Sequence, residues 1–318
     1  MRITRQTAQQ MMEVLDDLRE EIRNEEKPPY PYAEWERKRK LVKERLRKLP
    51  EYVERAASML AAQKATGRPK NGTLVQRTML FLFTRLMNKS NRDVEEMLEL
   101  FGPLFGITVS YKTIERLYSD EEVQAVVHNL FVLLLKGNEV SGHAAGDGTG
   151  YTLTVSKHYR SDPKKRSKDY RYAFRFIDID TGLYIGAGYS PVSEMGAFQK
   201  AMKMVDELGI PFHTVRLDKY YSSRKVLDLF GKDTTVYVIP KKNLSRIGLQ
   251  WSNVIRKIME SPYLYLKGYL RRNLSEAGYS SDKTRFGGII RQKRDDRRET
   301  ALFSIALLHN IFFTRVVP

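Results

Sequence analysis

The chain has 318 residues, of which 42% are hydrophobic, so it is long enough for a sizeable core and is not a disordered polymer. Its 55 lysines and arginines against 38 aspartates and glutamates give a net charge of +17, which favours nucleic acid as a polyanionic partner over a merely basic protein. It has no cysteine, which excludes disulfides and thiolate metal sites, and no two of its five histidines have zinc-ligand spacing.

Residues 1–72 are predicted to form a helical, basic N-terminal region that ends in a linker. The stretch "TAQQMMEVLDDLREEIR" has apolar residues near helical spacing, and "KPPYPY" breaks the pattern. A second, strongly basic helical stretch follows and is predicted to be interrupted near Pro50. The segment "ATGRPKNG" at 65–72 contains the Gly-Arg-Pro core of an AT-hook, although its flanking residues favour a plain basic linker.

Residues 73–138 are predicted to form a helix-turn-helix-like DNA-binding region. After an apolar helix, a second helix begins at Ser90 or Asn91 and is predicted to end at Gly102. A third helix begins after Ser110, and a fourth leads into the next region. An ordinary three-helix packing unit is the alternative.

The third of these helices carries the candidate residues for reading DNA bases. Ile114 and Leu117 are expected to face inward, which leaves the other side of the helix exposed. In a helix-turn-helix the exposed N-terminal residues of the last helix reach base edges. Here these residues are Tyr111, Lys112, Thr113 and Arg116.

Residues 139–318 change to alternating strands and helices. A strand with glycines around Asp147 is followed by a hairpin whose turn is Asp180-Thr-Gly, and then by a helix. A strand that ends at Asp218, a short helix, the strand "TTVYVIPK" and C-terminal helices complete the order βββ-α-β-α-β-α. This order predicts an α/β domain with a mixed sheet flanked by helices.

Three carboxylates stand out by their context. Asp147 lies among glycines in an apolar strand, where a charge is costly unless it is paired or binds a cation. Asp218 ends a strand, where α/β sheets place functional groups, and Glu276 stands among basic residues in "YLRRNLSEAGYSSDK". Three carboxylates without cysteine or paired histidine suit two divalent cations, Mg²⁺ or Mn²⁺, which assist phosphodiester transfer. Structural alternatives are that the aspartates cap a turn or helix and that Glu276 pairs with a nearby arginine.

The neighbours of Glu276 are spaced as on one face of a helix. Tyr269, Arg272, Glu276 and Lys283 are three, four and seven residues apart, within an arc of roughly 60°. The guanidinium can hold a phosphate through two hydrogen bonds and the ammonium as a point charge. The position of Lys283 depends on the helix continuing past Gly278.

Other candidates have simpler interpretations. Asp178 and Asp180 fit the hairpin and its turn, Glu260 ends a helix, and Glu299 is predicted to start the last helix. Trp251 is expected to pack in the core, with assistance to base flipping as the alternative. The N-terminus "MRITRQTAQQ" lacks the apolar stretch of a signal peptide, and no apolar run is long enough to span a bilayer. We therefore expect an intracellular protein without membrane contact.

The segment around Glu276 resembles the DDE transposases of the IS4-like group of bacterial and archaeal insertion sequences. That group carries the signature Tyr-x2-Arg-x3-Glu-x6-Lys around its third acid, and the chain matches it from Tyr269 to Lys283. The stretches "GDGTG" and "RLDKYYSS" are similar to the family's first and second acid motifs, so the resemblance covers about residues 140–290. It implies a ribonuclease-H-like catalytic core preceded by the helical DNA-binding region.

The resemblance also implies a reaction. Asp147, Asp218 and Glu276 would bind two Mg²⁺ ions, with Mn²⁺ as a possible substitute. Water would first cut the DNA at the end of the element and free a 3′-OH. That hydroxyl would then attack target DNA, or first the opposite strand through a hairpin. Some members carry a β-rich insertion between the second and third acids, for which the 58 residues from Asp218 to Glu276 leave no room.

The implied partners are double-stranded DNA, at the element's ends and at the target, and a second copy of the chain in a homodimer that pairs two ends. Tyr269, Arg272 and Lys283 would hold the phosphate backbone near the cleaved end. The expected location is the prokaryotic cytoplasm, in association with the nucleoid. Two other functions stay open: a ribonuclease-H-like nuclease such as a junction resolvase, and a non-catalytic DNA-binding protein derived from a transposase.

Overall fold

The protein begins with a group of helices. The structure is a computed structural model that describes residues 5–25, 32–61, 69–153, 170–241 and 248–314. Most of the predicted linker at 65–72 therefore lies outside the described residues. The helices of this first part are α1 (Arg5–Asn24), α2 (Tyr32–Ser58), α3 (Leu74–Met87), α4 (Asn91–Phe105), α5 (Tyr111–Leu117) and α6 (Glu121–Lys136).

Helix α2 runs without a break through Pro50, where the sequence predicts an interruption. Proline removes one backbone hydrogen bond from a helix. The residues around it are nonetheless deeply buried, with 3% of Leu49, 3% of Tyr52 and none of Val53 exposed. Packing of this face against the other helices outweighs the lost hydrogen bond, so the predicted interruption is wrong.

The end of α4 also differs from the prediction. The helix continues past Gly102 and Pro103 to Phe105. Gly106, not Gly102, adopts the left-handed conformation (φ 60°), and its N–H donates to the Gly102 carbonyl at 3.0 Å. This bond satisfies a carbonyl at the helix end, which is why the helix stops there.

A six-stranded mixed sheet forms the centre of the second part. Its strands are β1 (His143–Leu153), β2 (Tyr170–Asp178), β3 (Tyr184–Ser190), β4 (Thr214–Leu217), β5 (Thr235–Tyr237) and β6 (Ile289–Ile290). The strand order is β3-β2-β1-β4-β5, and β6 pairs with the far end of β1. The first three strands are antiparallel, whereas β4 and β5 run parallel to β1. The predicted α/β class with a mixed sheet is confirmed, and the arrangement is compatible with a ribonuclease-H-like core.

Helices cover both faces of this sheet. They are α7 (Glu194–Glu207), α8 (Arg224–Leu227), α9 (Leu249–Glu260), α10 (Pro262–Leu270), α11 (Asn273–Phe286) and α12 (Asp295–Phe313). Neighbouring residues of a strand point to opposite faces. Phe174 accordingly packs on Phe198 of α7, whereas Arg175 bonds to Asp282 of α11. The last helix, α12, also packs on α2, α3 and α6, which connects the sheet to the first group of helices.

The hairpin of β2 and β3 turns where the sequence predicts it, with Gly182 at φ 76°. Helix α12 begins at Asp295, one turn before the predicted start at Glu299. Across the described ranges, no helix combines the length and apolarity that a membrane crossing requires.

Close packing of α7 on β3 depends on Gly188. A Cβ at this position would collide with the backbone of α7, at the Ala197 carbonyl oxygen and the Ala201 nitrogen. Gly188→Ala is expected to lower the free energy of unfolding by about 1–3 kcal/mol, because helix and strand must separate. Urea unfolding measures this loss. The control is Gly231→Ala, where the nearest heavy atom is 3.8 Å from the added Cβ and the change should stay within about 0.5 kcal/mol.

Candidate active site

The three predicted acids come from three elements that meet beside β1. Asp147 lies within β1, Asp218 directly follows β4, and Glu276 lies in the first turn of α11. Strands β1 and β4 are parallel neighbours in which Gly146 is paired with Leu217. The residues that follow this pair, Asp147 and Asp218, therefore lie side by side.

A single guanidinium stands among all three acids. Arg272 makes a short hydrogen bond to Glu276 through Nη2, which lies 4.0 Å from Asp218 Oδ2. Its Nη1 lies 3.7 Å from Asp147 Oδ1. The arginine is only 7% exposed, so these carboxylates balance its charge where water cannot. The ion pair between Glu276 and Arg272 is thus present, and the same arginine also lies within ion-pair distance of the other two acids.

Burial alters the acidity of the central carboxyl. It raises the pKa of Asp147 from 3.8 to about 6, against the opposing effect of Arg272 and with a further increase from Glu276 and Asp218. A carboxyl in such surroundings ionises more readily when a further cation approaches. Burial is thus the main reason that Asp147 holds its proton more tightly although Arg272 is near.

This raised pKa predicts a stability that depends on pH in metal-free protein. Between about pH 4 and pH 6, folded Asp147 keeps a proton that the unfolded chain has lost. The free energy of unfolding should therefore fall as pH rises through this window, and stay at the lower level above it. The Asp147→Asn protein should lack this pH dependence of the free energy of unfolding. Urea unfolding in EDTA at several pH values measures it, and an equal pH dependence of both proteins would contradict the prediction.

The tyrosine–arginine–glutamate–lysine signature spans two helices and the turn between them, not one continuous helix. Helix α10 ends at Leu270 and α11 begins at Asn273, so the prediction of one continuous helix is wrong. Between them the Arg272 N–H donates to the Tyr269 carbonyl at 2.9 Å, three residues earlier, which tightens the chain into a turn. Arg271 and Arg272 keep right-handed helical dihedrals, so the signature residues still lie close together.

Lys283 occupies the predicted position because α11 continues past Gly278 to Phe286. Its Nζ donates to Thr149 Oγ1 at 2.6 Å, two residues beyond Asp147 on β1. Burial lowers the pKa of the Lys283 ammonium. A second cation thus lies at the side of β1 that carries the first acid.

The first residue of the signature, Tyr269, is packed rather than exposed. Only 4% of its surface is accessible, and burial raises the pKa of its hydroxyl. The Arg272 guanidinium carbon lies 5.9 Å from the centre of its ring. The phenol therefore stays protonated, and its ring packs near the Arg272 guanidinium that lies among the acids.

The candidate base-reading residues lie away from the three acids, on α5. Ile114 and Leu117 are buried, as predicted, while Lys112 and Arg116 are exposed. The guanidinium of Arg92 lies 5.1 Å from the Tyr111 ring. Tyr111 and Thr113 are half-buried. Both a helix-turn-helix and an ordinary three-helix unit accommodate this packing, so DNA reading by α5 stays a prediction.

Comparison with known proteins identifies a full-length relative. A probable transposase for the insertion sequence element ISA1214 of Archaeoglobus fulgidus is 62% identical over 316 residues, which cover 99% of this chain and 98% of that protein. The chain belongs to the insertion-sequence transposases. No protein-family model matches this transposase. The matched length includes the N-terminal helices as well as the sheet, so membership extends over the whole transposase chain.

A half-buried acid that sequence reasoning missed packs against two of the segments that carry the candidate site of the transposase. Glu194, the first residue of α7, accepts a hydrogen bond from the Tyr221 hydroxyl at 2.6 Å. Its carboxyl lies against Gly148, where any Cβ would collide with it. The pair therefore links α7, the residue after Asp147 and the short helix that follows Asp218. The sequence offers no signal for it beyond the glycine itself.

A second missed group is a buried charged cluster that we call the α11 anchor, formed by Arg175, Asp282 and His309. Asp282 accepts from Arg175 Nη1 at 2.8 Å and lies 2.7 Å from His309 Nδ1. The other ring nitrogen of His309 lies 3.0 Å from the Gly182 carbonyl oxygen. All three side chains are at most 1% exposed. The anchor holds α11, which carries Glu276, against the sheet.

The signal for this anchor was present in the sequence of the transposase. Arg175 interrupts the apolar strand "RYAFRFIDI", and a buried arginine requires an acid. The hairpin acid and the acid of the last helix have partners of their own. Asp178 accepts hydrogen bonds from Ser141 and Thr181, and Glu299 pairs with Lys200. Trp251 is fully buried, as expected of a core residue.

The chemistry of the three acids fits a divalent cation. All of their donors are carboxylate oxygens, which Mg²⁺ and Mn²⁺ prefer. In the part of the transposase that the structure describes, no three acidic or histidine side chains are already spaced to hold a metal ion. Arg272 stands between the carboxylates, and its buried Nε makes no hydrogen bond within the described chain. Cation binding would therefore require this guanidinium to leave its position among the acids.

Proposed function

We propose that this transposase is a DDE enzyme of the IS4-like group, which cuts DNA at the ends of its insertion sequence and joins the 3′ ends to target DNA. The observation that supports this is the convergence of Asp147, Asp218 and Glu276 on one arginine. Sequence distance makes such a meeting improbable by chance, since the acids belong to a strand, a strand end and a later helix. The net charge of +17 suits a DNA substrate.

The three acids would hold two Mg²⁺ ions, or Mn²⁺ in their place. When bound, such ions stabilise the negative charge on the attacking and leaving oxygens of a phosphodiester. The protein's own contribution is to hold the carboxylates together in a site where Asp147 is largely screened from water. We further expect two copies of the chain to act together, as a homodimer that pairs the two ends of the element.

Arg272 and Lys283 would grip the phosphate next to the cut. A guanidinium binds phosphate through two parallel hydrogen bonds, and an ammonium acts as a point charge. Arg272 lies next to Glu276, and Lys283 lies beside Thr149 on the strand of Asp147. Both cations therefore flank the position where the acids would act on DNA.

Cleavage of the element's own terminal repeats in vitro tests the proposal. With Mg²⁺, the purified protein should cut at the ends of the repeats and transfer the 3′ ends to a target plasmid, and EDTA should stop both steps. Cutting of four-way junctions without preference for the repeats would identify a junction resolvase instead. Binding to the repeats without cutting, in Mg²⁺ or Mn²⁺, would identify a DNA-binding protein that has lost catalysis.

Arg272→Ala is expected to weaken strand transfer by about 10- to 100-fold, because the phosphate loses a charged, bidentate partner. Arg272→Lys should recover only part of this loss, since an ammonium cannot form the two parallel hydrogen bonds of a guanidinium. Single-turnover strand transfer with pre-cut ends measures the effect. The matched control is Arg271→Ala, because this neighbour is exposed and pairs with Asp180 at 3.0 Å. Equal activity of Arg272→Ala and Arg271→Ala would remove the proposed role.

A further inference from the structure

We propose that Tyr220 and Lys241 form a binding platform for one unpaired DNA base beside the second acid. The inference rests on the proposed function, because the ligand is a strand of the DNA that the three acids would cut. Neither residue belongs to the tyrosine–arginine–glutamate–lysine signature or to the three acids. Tyr220 lies on the short 3-10 helix Lys219–Tyr221, which directly follows Asp218, and Lys241 lies beyond the end of β5.

Tyr220 is an exposed aromatic ring tied directly to a candidate catalytic residue. Its backbone N–H donates to Asp218 Oδ1 at 2.8 Å, and its side chain is 49% exposed. Within the described ranges, the other large aromatic side chains with comparable exposure are Tyr32, Tyr170 and Phe313. None of these three belongs to the elements that carry the acids. Tyr220 therefore presents a ring to solvent at the position where DNA would lie.

The ring is held in place rather than free to move. Tyr221, which is fully buried and bonded to Glu194, meets it edge-on with ring centres 5.1 Å apart. Lys241 donates from Nζ to the Tyr220 carbonyl at 3.1 Å, with the same Nζ 5.4 Å from the ring centre. A preorganised ring loses little conformational entropy when a ligand stacks on it.

The chemistry of this surface favours a base with an accessible face. Aromatic side chains bind nucleic acid by stacking on bases, and bases inside a duplex are covered by their neighbours. An unpaired base exposes its face, and the phosphate attached to it would meet the ammonium of Lys241. Exposed Lys219 and Lys225 add positive charge along the same segment. An apolar peptide would leave these cations unpaired, so the surface suits a single-stranded nucleotide better.

Binding of two matched DNAs tests the platform without catalysis. Both carry the same labelled terminal repeat, one as a blunt duplex and the other with a three-nucleotide unpaired 3′ extension, and anisotropy is measured in EDTA. Wild-type protein should bind the extended DNA on the order of tenfold more tightly. Tyr220→Ala should remove this preference while keeping affinity for the blunt duplex. Tyr220→Phe should retain the preference, because stacking requires the ring and not the hydroxyl.

Tyr32→Ala, which removes another exposed tyrosine, is the control and should retain the full preference. Thermal unfolding establishes that each variant is folded before it is compared. Equal affinity of wild-type protein for both DNAs would overturn the platform, as would an equal loss in Tyr220→Ala and Tyr220→Phe. Failure of wild-type protein to bind either DNA would instead contradict the proposed function, so the two failures are distinguishable.

Discussion

Replacement of Asp147, Asp218 or Glu276 by alanine is expected to abolish DNA cleavage while leaving binding to the terminal repeats intact. Each change removes one of the carboxylates that would hold the metal ions, and loss of a single catalytic group of this kind costs at least about 10³-fold in rate. Binding should persist because it depends on basic residues spread over the surface. Gel assays of strand cleavage and of end binding, on the same preparations, separate the two effects.

The fold should survive these substitutions, since Arg272 keeps two acidic partners when one is removed. Asp228→Ala is the matched control, because this exposed aspartate lies just beyond α8 and pairs with Arg224 at 3.2 Å. It should cut at the wild-type rate. Normal cleavage by Glu276→Ala would disprove the assignment of the third acid. Normal cleavage by Asp147→Ala or Asp218→Ala would likewise disprove the catalytic role of that aspartate.

A second large effect is expected from the α11 anchor. Asp282→Asn keeps the size of the side chain but removes the negative charge that balances Arg175 in the core. Breaking a buried ion pair by removing one partner costs about 3–5 kcal/mol, because the remaining charge is left uncompensated. Urea unfolding should show this loss in the free energy of unfolding.

Glu299→Gln provides the comparison for the anchor. Its ion pair with Lys200 has the same 2.8 Å distance as the pair of Arg175 and Asp282, but both partners are half exposed. Water and salt weaken such a pair, so the substitution should cost less than about 1 kcal/mol. Similar losses in the free energy of unfolding for Asp282→Asn and Glu299→Gln would show that burial does not determine how much the anchor stabilises the fold.

Local patterns in the sequence predicted a large part of this fold. The change from helical to alternating patterning located the sheet, and turn residues such as Gly182 located the hairpin. The order of strands and helices followed from these signals alone. Strand β6 was not predicted, because two residues are too few to show a period and their pairing with β1 is a long-range contact.

Predictions failed where tertiary contacts decided the local structure. No glycine or proline marks the break between α10 and α11, which lies where Arg272 turns toward the acids. Pro50 marks a break that does not occur, because its neighbours are buried. Proximity of the three acids was predicted from a family resemblance and from strand order, and the structure places them around Arg272.

The supporting groups of the site were the hardest to predict. Arg175 indicates that a buried acid must pair with it, but Asp282 is 107 residues away, so a single sequence does not reveal which acid this is. Glu194 lies at the start of a helix, where acidic residues are common for reasons of helix polarity alone. The roles of such residues become visible only in the folded structure, where their partners lie beside them.

The position of Arg272 would link the two proposed binding events. The same guanidinium cannot neutralise three carboxylates and grip a phosphate at one time, so metal ions that took its place among the acids would release it toward DNA. Metal and DNA should therefore bind cooperatively, and by thermodynamic reciprocity each should raise the affinity for the other by the same factor. In the absence of both ligands, the arginine acts as an internal counter-ion that lets the acids be assembled in advance.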